Sequence, residues 1–181
     1  MAVEREIIVI KRDIFAMLVP SGARVMLHQG TEVMITQALG NSFTVSVYGN
    51  LARVDAKDAD ALGKELHNPL DDLPEGATVK EKVWTQLHTV YDPEIPVNIV
   101  DLGLIYNCKI EPLAEPDTYQ VKIDMTLTAP GCGMGPVIVN EVELKVRAIL
   151  EVKDVHVELV FDPPWNQSMM SDVAKLELGI L

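Results

Sequence analysis

Tyr119-Gln-Val-Lys-Ile-Asp-Met-Thr-Leu127 runs directly into Thr128-Ala-Pro-Gly-Cys-Gly-Met-Gly-Pro136, and that stretch leads into Val137 to Leu150. In the first segment Tyr119, Val121, Ile123, Met125 and Leu127 recur at every second position, the period of a strand with one buried face. In the last, Ile138, Val142, Val146 and Ile149 recur at helical spacing, and Pro136 suits the first turn of a helix. A glycine-rich loop therefore joins a strand to an amphipathic helix. A further alternating run, Val155, Val157, Leu159 and Phe161, completes a strand–helix–strand unit. If its two strands are parallel, the crossover is right-handed.

Upstream, Leu104, Tyr106, Cys108 and Ile110 alternate as one face of another strand. The acidic, proline-containing connection from Glu111 to Asp117 is read as the turn of an antiparallel hairpin. Before it, Thr78 and Glu81 have the spacing of a capping box. Val79, Val83, Leu87, Val90 and Tyr91, widened by Trp84, predict a helix that Pro93 ends. After the last strand, Asp162-Pro-Pro-Trp165 breaks the chain, and Ser168 to Leu178, closed by Gly179, is expected to be helical. The order helix, strand, strand, helix, strand, helix predicts an α+β (α/β) domain with a small mixed sheet over residues 78–181.

The N-terminal third reads differently. Arg24–His28, Glu32–Leu39, Ser42–Tyr48 and Leu51–Val54 are short runs of strand character separated by glycines, with Gly40-Asn41 suited to a hairpin turn. Asp55–Leu62 has room for a helical turn or two before Gly63. Residues 1–66 are expected to form a small β-rich domain, a barrel or compact sheet. Residues 67–77, with two prolines, a glycine and three acids, are expected to be a linker.

The chain has 181 residues and a formal net charge of −12, and 48% of its residues are apolar. The apolar content excludes disorder. No apolar run approaches the ~20 residues of a membrane-spanning helix, and the charged start (Glu4-Arg5-Glu6) lacks the pattern of a signal peptide. A cytoplasmic protein is expected. The acidic balance argues against nucleic acid, since the basic residues are scattered and Lys11-Arg12 is their densest pair.

Cys132 is the strongest candidate for chemistry. Glycines flank it on both sides, and the helix that follows offers unpaired N–H groups and a partial positive charge, which favour a thiolate. A reactive or metal-ligating sulfur fits this setting better than a core cysteine. Gly131, Gly133 and Gly135 shape the loop around it. They do not fit a phosphate-binding loop, because the Gly-Lys-Ser/Thr ending is missing and Pro136 stands where a dinucleotide fingerprint needs glycine. Cys108 is in phase with its strand's apolar face and is read as structural. Two cysteines cannot complete a four-cysteine cluster site within one chain.

Asp92-Pro-Glu-Ile-Pro96 is the second constellation. Two carboxylates, Asp92 and Glu94, stand two residues apart in a proline-stiffened bend. Carboxylate oxygens near a thiolate make a mixed site suited to iron or another divalent metal, while the bland alternative is a polar helix terminus. Asp101 is read as a capping or turn residue. The four histidines, His28, His67, His88 and His156, show no metal-binding spacing. No serine–histidine–acid arrangement is evident. Met169, Met170 and Trp165 are expected to pack the C-terminal helix.

Three stretches taken together, Asp92 to Tyr106, Thr126 to Gly135 and Asp162 to Trp165, resemble a family of iron–sulfur cluster assembly factors. That family includes PaaD of the phenylacetate pathway and a eukaryotic cytosolic factor that hands clusters to target proteins. The resemblance covers about residues 75–180, and to long bacterial members of the family it extends over the N-terminal part. It implies a non-enzymatic accessory role in maturing iron–sulfur proteins. Cys132, and with it Asp92 and Glu94, fall on the family's functional positions. Iron or an iron–sulfur cluster would be held transiently and none permanently. The implied partners are the assembly machinery and client apoproteins, and one thiolate per chain favours a homodimer. A pure adaptor that binds no metal is the main alternative. A thiol enzyme ranks below it for want of a general base.

Overall fold

The sheet of the N-terminal unit has six strands, β1 (Glu6–Val9), β2 (Ile14–Val19), β3 (Arg24–Leu27), β4 (Glu32–Leu39), β5 (Ser42–Val47) and β6 (Asn50–Val54). The computed structural model describes residues 5–40, 42–131 and 133–181, so Asn41 and Cys132 lie outside the described residues. The described chain divides into two compact units that part between Asn68 and Pro69.

In the first unit every strand pair is antiparallel, in the order β1-β4-β5-β6-β2-β3. Leu39 pairs with Ser42, as expected for a two-residue connection at 40–41. Val47 pairs with Asn50, and Tyr48 and Gly49 between them have φ of +50° and +79°. Positive φ at both central residues is what a tight hairpin turn needs to match the twist of its strands. Phe43, Val45 and Val47 face a core with Ile10, Ile14, Leu27, Val33, Ile35 and Leu62. A 3-10 helix, Ala56–Leu62, adds Ala59 and Ala61 to this core and stops at Gly63, φ +70°.

Two features of this unit differ from the expectation. The sheet runs from β1 at one edge to β3 at the other, and no β1–β3 pairing closes it into a barrel among the described residues. The strands β1 and β2 were not legible one by one. Ile-Phe-Ala-Met-Leu-Val in β2 is continuously apolar, and its buried and exposed positions alternate clearly only in the first half. Arg12, half of the densest basic pair, has its charge matched within the unit by Asp58 at 2.9 Å and Asp60 at 2.7 Å.

In the second unit a 3-10 helix, Pro69–Asp72, lies inside the stretch expected as linker, and its Leu70 packs on the core of this unit. Next comes α1 (Val79–Leu87), with the capping box present in both directions: Glu81 N–H donates to the Thr78 hydroxyl, and Thr78 N–H donates to the Glu81 carboxylate. The helix ends at Leu87, well short of Pro93, which corrects the sequence reading. The Thr89 hydroxyl donates to the Gln86 carbonyl at 2.7 Å and Val90 N–H reaches Leu87. The last turn tightens there, so the apolar stripe continues past the helix with Val90 fully buried.

The hairpin β7 (Ile105–Pro112) and β8 (Tyr119–Met125) is antiparallel, with Cys108 opposite Ile123. From β8 the chain passes through α2 (Gly135–Arg147) to β9 (Val152–Leu159), which pairs parallel to β8 with Val121 opposite Val155. A small mixed sheet is the expected one, and its order is β7-β8-β9. Val83, Leu87, Leu104, Ile123, Met125, Ile138, Val142 and Val146 form its core. Phe161, expected in the last strand, lies beyond it and is exposed.

The C-terminal helix comes in two pieces, a 3-10 turn at Gln167–Met169 and α3 (Asp172–Glu177). Asn166 draws in the N–H and hydroxyl of Ser168, and Met170 is extended. Ser171 then caps α3 by accepting from Ala174 N–H. Asn166 satisfies the first helix start and Ser171 the second, so one continuous helix does not form.

Candidate functional site

The proline-rich bend after α1 and the loop after β8 meet at one buried carboxylate. Asp92 is 4% exposed. Its Oδ1 accepts from the N–H groups of Glu94 and Ile95, both at 2.9 Å, and its Oδ2 accepts from the Thr128 hydroxyl at 3.2 Å. The first two bonds close an Asx turn that braces Asp92-Pro-Glu-Ile. The third ties that turn to the chain leading into the glycine loop. Asp92 N–H donates to Val97 O at 3.1 Å, and Tyr91 pairs with Asn98 in a single antiparallel bridge, so the bend is closed on itself. Glu94 is exposed at the rim of the same turn.

Sequence reasoning placed Asp92 and Glu94 together as carboxylates of one site. The structure gives them different surroundings: Asp92 is enclosed by three neutral donors, and Glu94 is open to solvent. It also brings in Thr128, which the sequence reading passed over. The signal available was a threonine between an alternating strand and a glycine loop, and a threonine there has many ordinary uses.

The three loop glycines stand in three environments. Gly131 has φ +84° and open space around an added Cβ, so its backbone conformation is what requires glycine. Gly135 begins α2 in a tight place, where a Cβ would sit 2.9 Å from Leu127 Cδ1. Gly133 is exposed. The residue preceding α2, Met134, is fully buried and supplies no side-chain acceptor to the first N–H groups of the helix. Those donors keep the partial positive charge of a helix N-terminus. Cys132, two positions earlier in sequence, lies outside the described residues. Among the described residues no three histidine, cysteine or acidic side chains come together as a metal-binding group.

Cys108 behaves as the sequence suggests. It is partly buried beside Ile110, Trp84 and Tyr119 at a pocket of about 390 Å³ that Thr78, Val79 and Lys80 also line. Burial pushes its thiol up to about 11, against a weaker opposing pull from the Lys80 charge. At neutral pH this is a protonated, poorly nucleophilic sulfur. His88 caps α1 with its Nδ1 at 2.7 Å from Trp84 O.

Asp101 is a clamp. Its carboxylate accepts from Asn98 Nδ2 at 2.6 Å and from the Ser171 hydroxyl at 2.9 Å, and its carbonyl accepts from Ser171 N–H at 2.8 Å. It joins the bend to the start of α3, in keeping with the turn role read from sequence.

Residues 80–159, which include both loops, match the model of a family described as iron-sulfur cluster assembly protein. An "Fe-S protein maturation auxiliary factor" of Porphyromonas gingivalis is 48% identical over 102 residues, 56% of this chain and 92% of that protein. The chain belongs to the iron-sulfur cluster assembly protein family. The "Fe-S protein maturation auxiliary factor SufT" of Staphylococcus aureus is 42% identical over 91 residues, 50% of this chain and 98% of that protein. A crystal structure of a domain of unknown function from Bacillus anthracis is 36% identical, covering 57% of this chain and 93% of its own, with a TM-score of 0.49. With the Staphylococcus relative matched almost end to end by 91 residues, the rest of this chain extends beyond what the two share. The family match itself lies wholly in the second unit. No helix among the described residues is long and apolar enough to cross a membrane.

Proposed function

We propose that this chain is a non-catalytic accessory factor in the maturation of iron–sulfur proteins, acting in the cytoplasm between the assembly machinery and client apoproteins. Cys132 is the transient ligand for iron or a cluster in transit, and the carboxylates of Asp92 and Glu94 belong to the same site, shaped by Gly131, Gly133 and Gly135. The observation that carries this reading is the 48% identity to a maturation auxiliary factor over nearly all of that protein's length. The geometry supports it: Cys132 follows Thr128 by four residues, and Thr128 is bonded to the acidic bend.

A soft thiolate with one or two oxygen donors is a partial ligand set for iron. An incomplete set suits a carrier, which must release its cargo. It is completed by a second copy of the chain or by a partner's ligands, and the homodimer is the arrangement proposed. Residues 1–66 are the β-rich domain, joined to the second domain through residues 67–77.

Anaerobically prepared wild type and Cys132→Ser are to be compared for bound iron and sulfide and for activation of a client apoprotein. Loss of both in the variant is expected, while equal activation by the two proteins would remove the thiol from the mechanism. The second reading is an adaptor without metal. It requires client binding that survives Cys132→Ser with no iron on either protein.

A further inference from the structure

We infer that Asp92 and Thr128 are a pair of positioning residues that set where the Cys132 loop is held relative to Glu94. This rests on the reading of that loop as the site. The Asp92 carboxylate is directed at protein donors on both of its oxygens. One oxygen holds the N–H groups of Glu94 and Ile95, and the other holds the Thr128 hydroxyl. A carboxylate that is 96% buried, on an exposure of 4%, is tolerated because such bonds offset its lost hydration. Removing the Thr128 hydroxyl leaves Oδ2 without its donor, so the arrangement resists rearrangement.

The loop is fixed at both ends. Before it, Thr126 N–H donates to Leu104 O at 2.9 Å, and two residues later Thr128 is bonded to Asp92. After it, Gly135 abuts Leu127 so closely that no Cβ fits without displacement. Gly131, in its left-handed conformation, turns the chain between these anchors. The same carboxylate fixes the backbone of Glu94 on the opposite loop. Asp92 thus acts on the site through Thr128 and through the Glu94 backbone.

Two substitutions separate hydrogen bonding from charge. Asp92→Asn keeps an oxygen for the two N–H groups and can donate its amide to the Thr128 oxygen, whereas Asp92→Ala removes every contact. Thr128→Val keeps the shape and removes the hydroxyl, and Thr128→Ser restores it. In a Cys108→Ala background, which leaves one thiol, the rate of iodoacetamide alkylation at Cys132 is measured at a fixed neutral pH. Anaerobic iron uptake is measured alongside, and circular dichroism confirms folding. Loss of one buried hydrogen bond at the anchor is expected to change the alkylation rate of Thr128→Val by about fivefold. Thr128→Ser should return toward the parent, and Asp92→Asn should depart from it less than Asp92→Ala. Alkylation of folded Thr128→Val at the parental rate would overturn the inference, as would Asp92→Asn behaving like Asp92→Ala. If alkylation follows the expected order while neither parent nor variants take up iron, the positioning pair stands and the iron-carrying reading falls.

Discussion

Trp165 donates its indole N–H to the carbonyl of Leu102 at 2.7 Å, joining the Asp-Pro-Pro-Trp break to the segment just before β7. Around that bond Tyr106 donates its hydroxyl to Pro163 O at 2.7 Å, and Ser171 is bonded twice to Asp101. Two of the three stretches that carry the family resemblance therefore hold each other in place. Trp165→Phe keeps most of the ring's packing and leaves the Leu102 carbonyl without its donor. A loss of about 1–2 kcal/mol is expected from that change, read as a lower urea midpoint with an unchanged slope. No shift in the midpoint would show that solvent replaces the bond.

Gly103 sits at the centre of the same contact. Its φ is +74°, and a Cβ would lie 2.2 Å from the Met169 carbonyl oxygen and 2.9 Å from the Met169 carbonyl carbon. Both obstacles are backbone, so no rotamer change relieves them. Gly103→Ala is expected to destabilise the second unit by about 3 kcal/mol or more, summing the left-handed conformation and the overpacking. Gly131→Ala meets open space at φ +84° and should lose only about 1–2 kcal/mol. Thermal unfolding of the two variants side by side tests the ranking, which equal losses would refute.

How much of this was legible in the sequence depends on how far each signal is local. The hairpin and the capping box of α1 are written in spacing over a few residues, and the structure has both, whereas the crossover, conditional in the sequence, is parallel. The end of α1 was misplaced because Val90 continues the apolar stripe, while the Thr89 hydroxyl tightens the turn beneath it. The strand β2 was missed because a run apolar on both faces has no period to detect. At the site, the sequence identified Asp92 as unusual but not why. Its burial and its bond to Thr128 join residues 36 positions apart, and no local pattern encodes such a contact.

Cys108 makes a prediction about pH. Burial raises its folded-state thiol from the ordinary 9.0 to about 11. Between those values the unfolded chain releases a proton that the folded chain retains, so the contribution to stability is complete below about 9 and disappears as pH rises toward 11. Tyr91, also raised chiefly by burial, titrates in the same direction and is common to any pair of variants compared. Urea midpoints measured across this range should therefore fall more steeply for wild type than for Cys108→Ala. Parallel curves would mean that the thiol is solvated in solution.

The second unit is expected to fold without the first. Its core is drawn from residues between Val83 and Ala174. A chain of residues 69–181 should unfold cooperatively. A chain of residues 78–181, which keeps the Thr78 cap but lacks the partly buried Leu70, should be less stable by about 1 kcal/mol. Circular dichroism melts and urea titrations of the two lengths decide the matter. A non-cooperative 69–181 would show that the β-rich unit is needed for this fold, and equal stability of the two lengths would show that Leu70 contributes nothing to it.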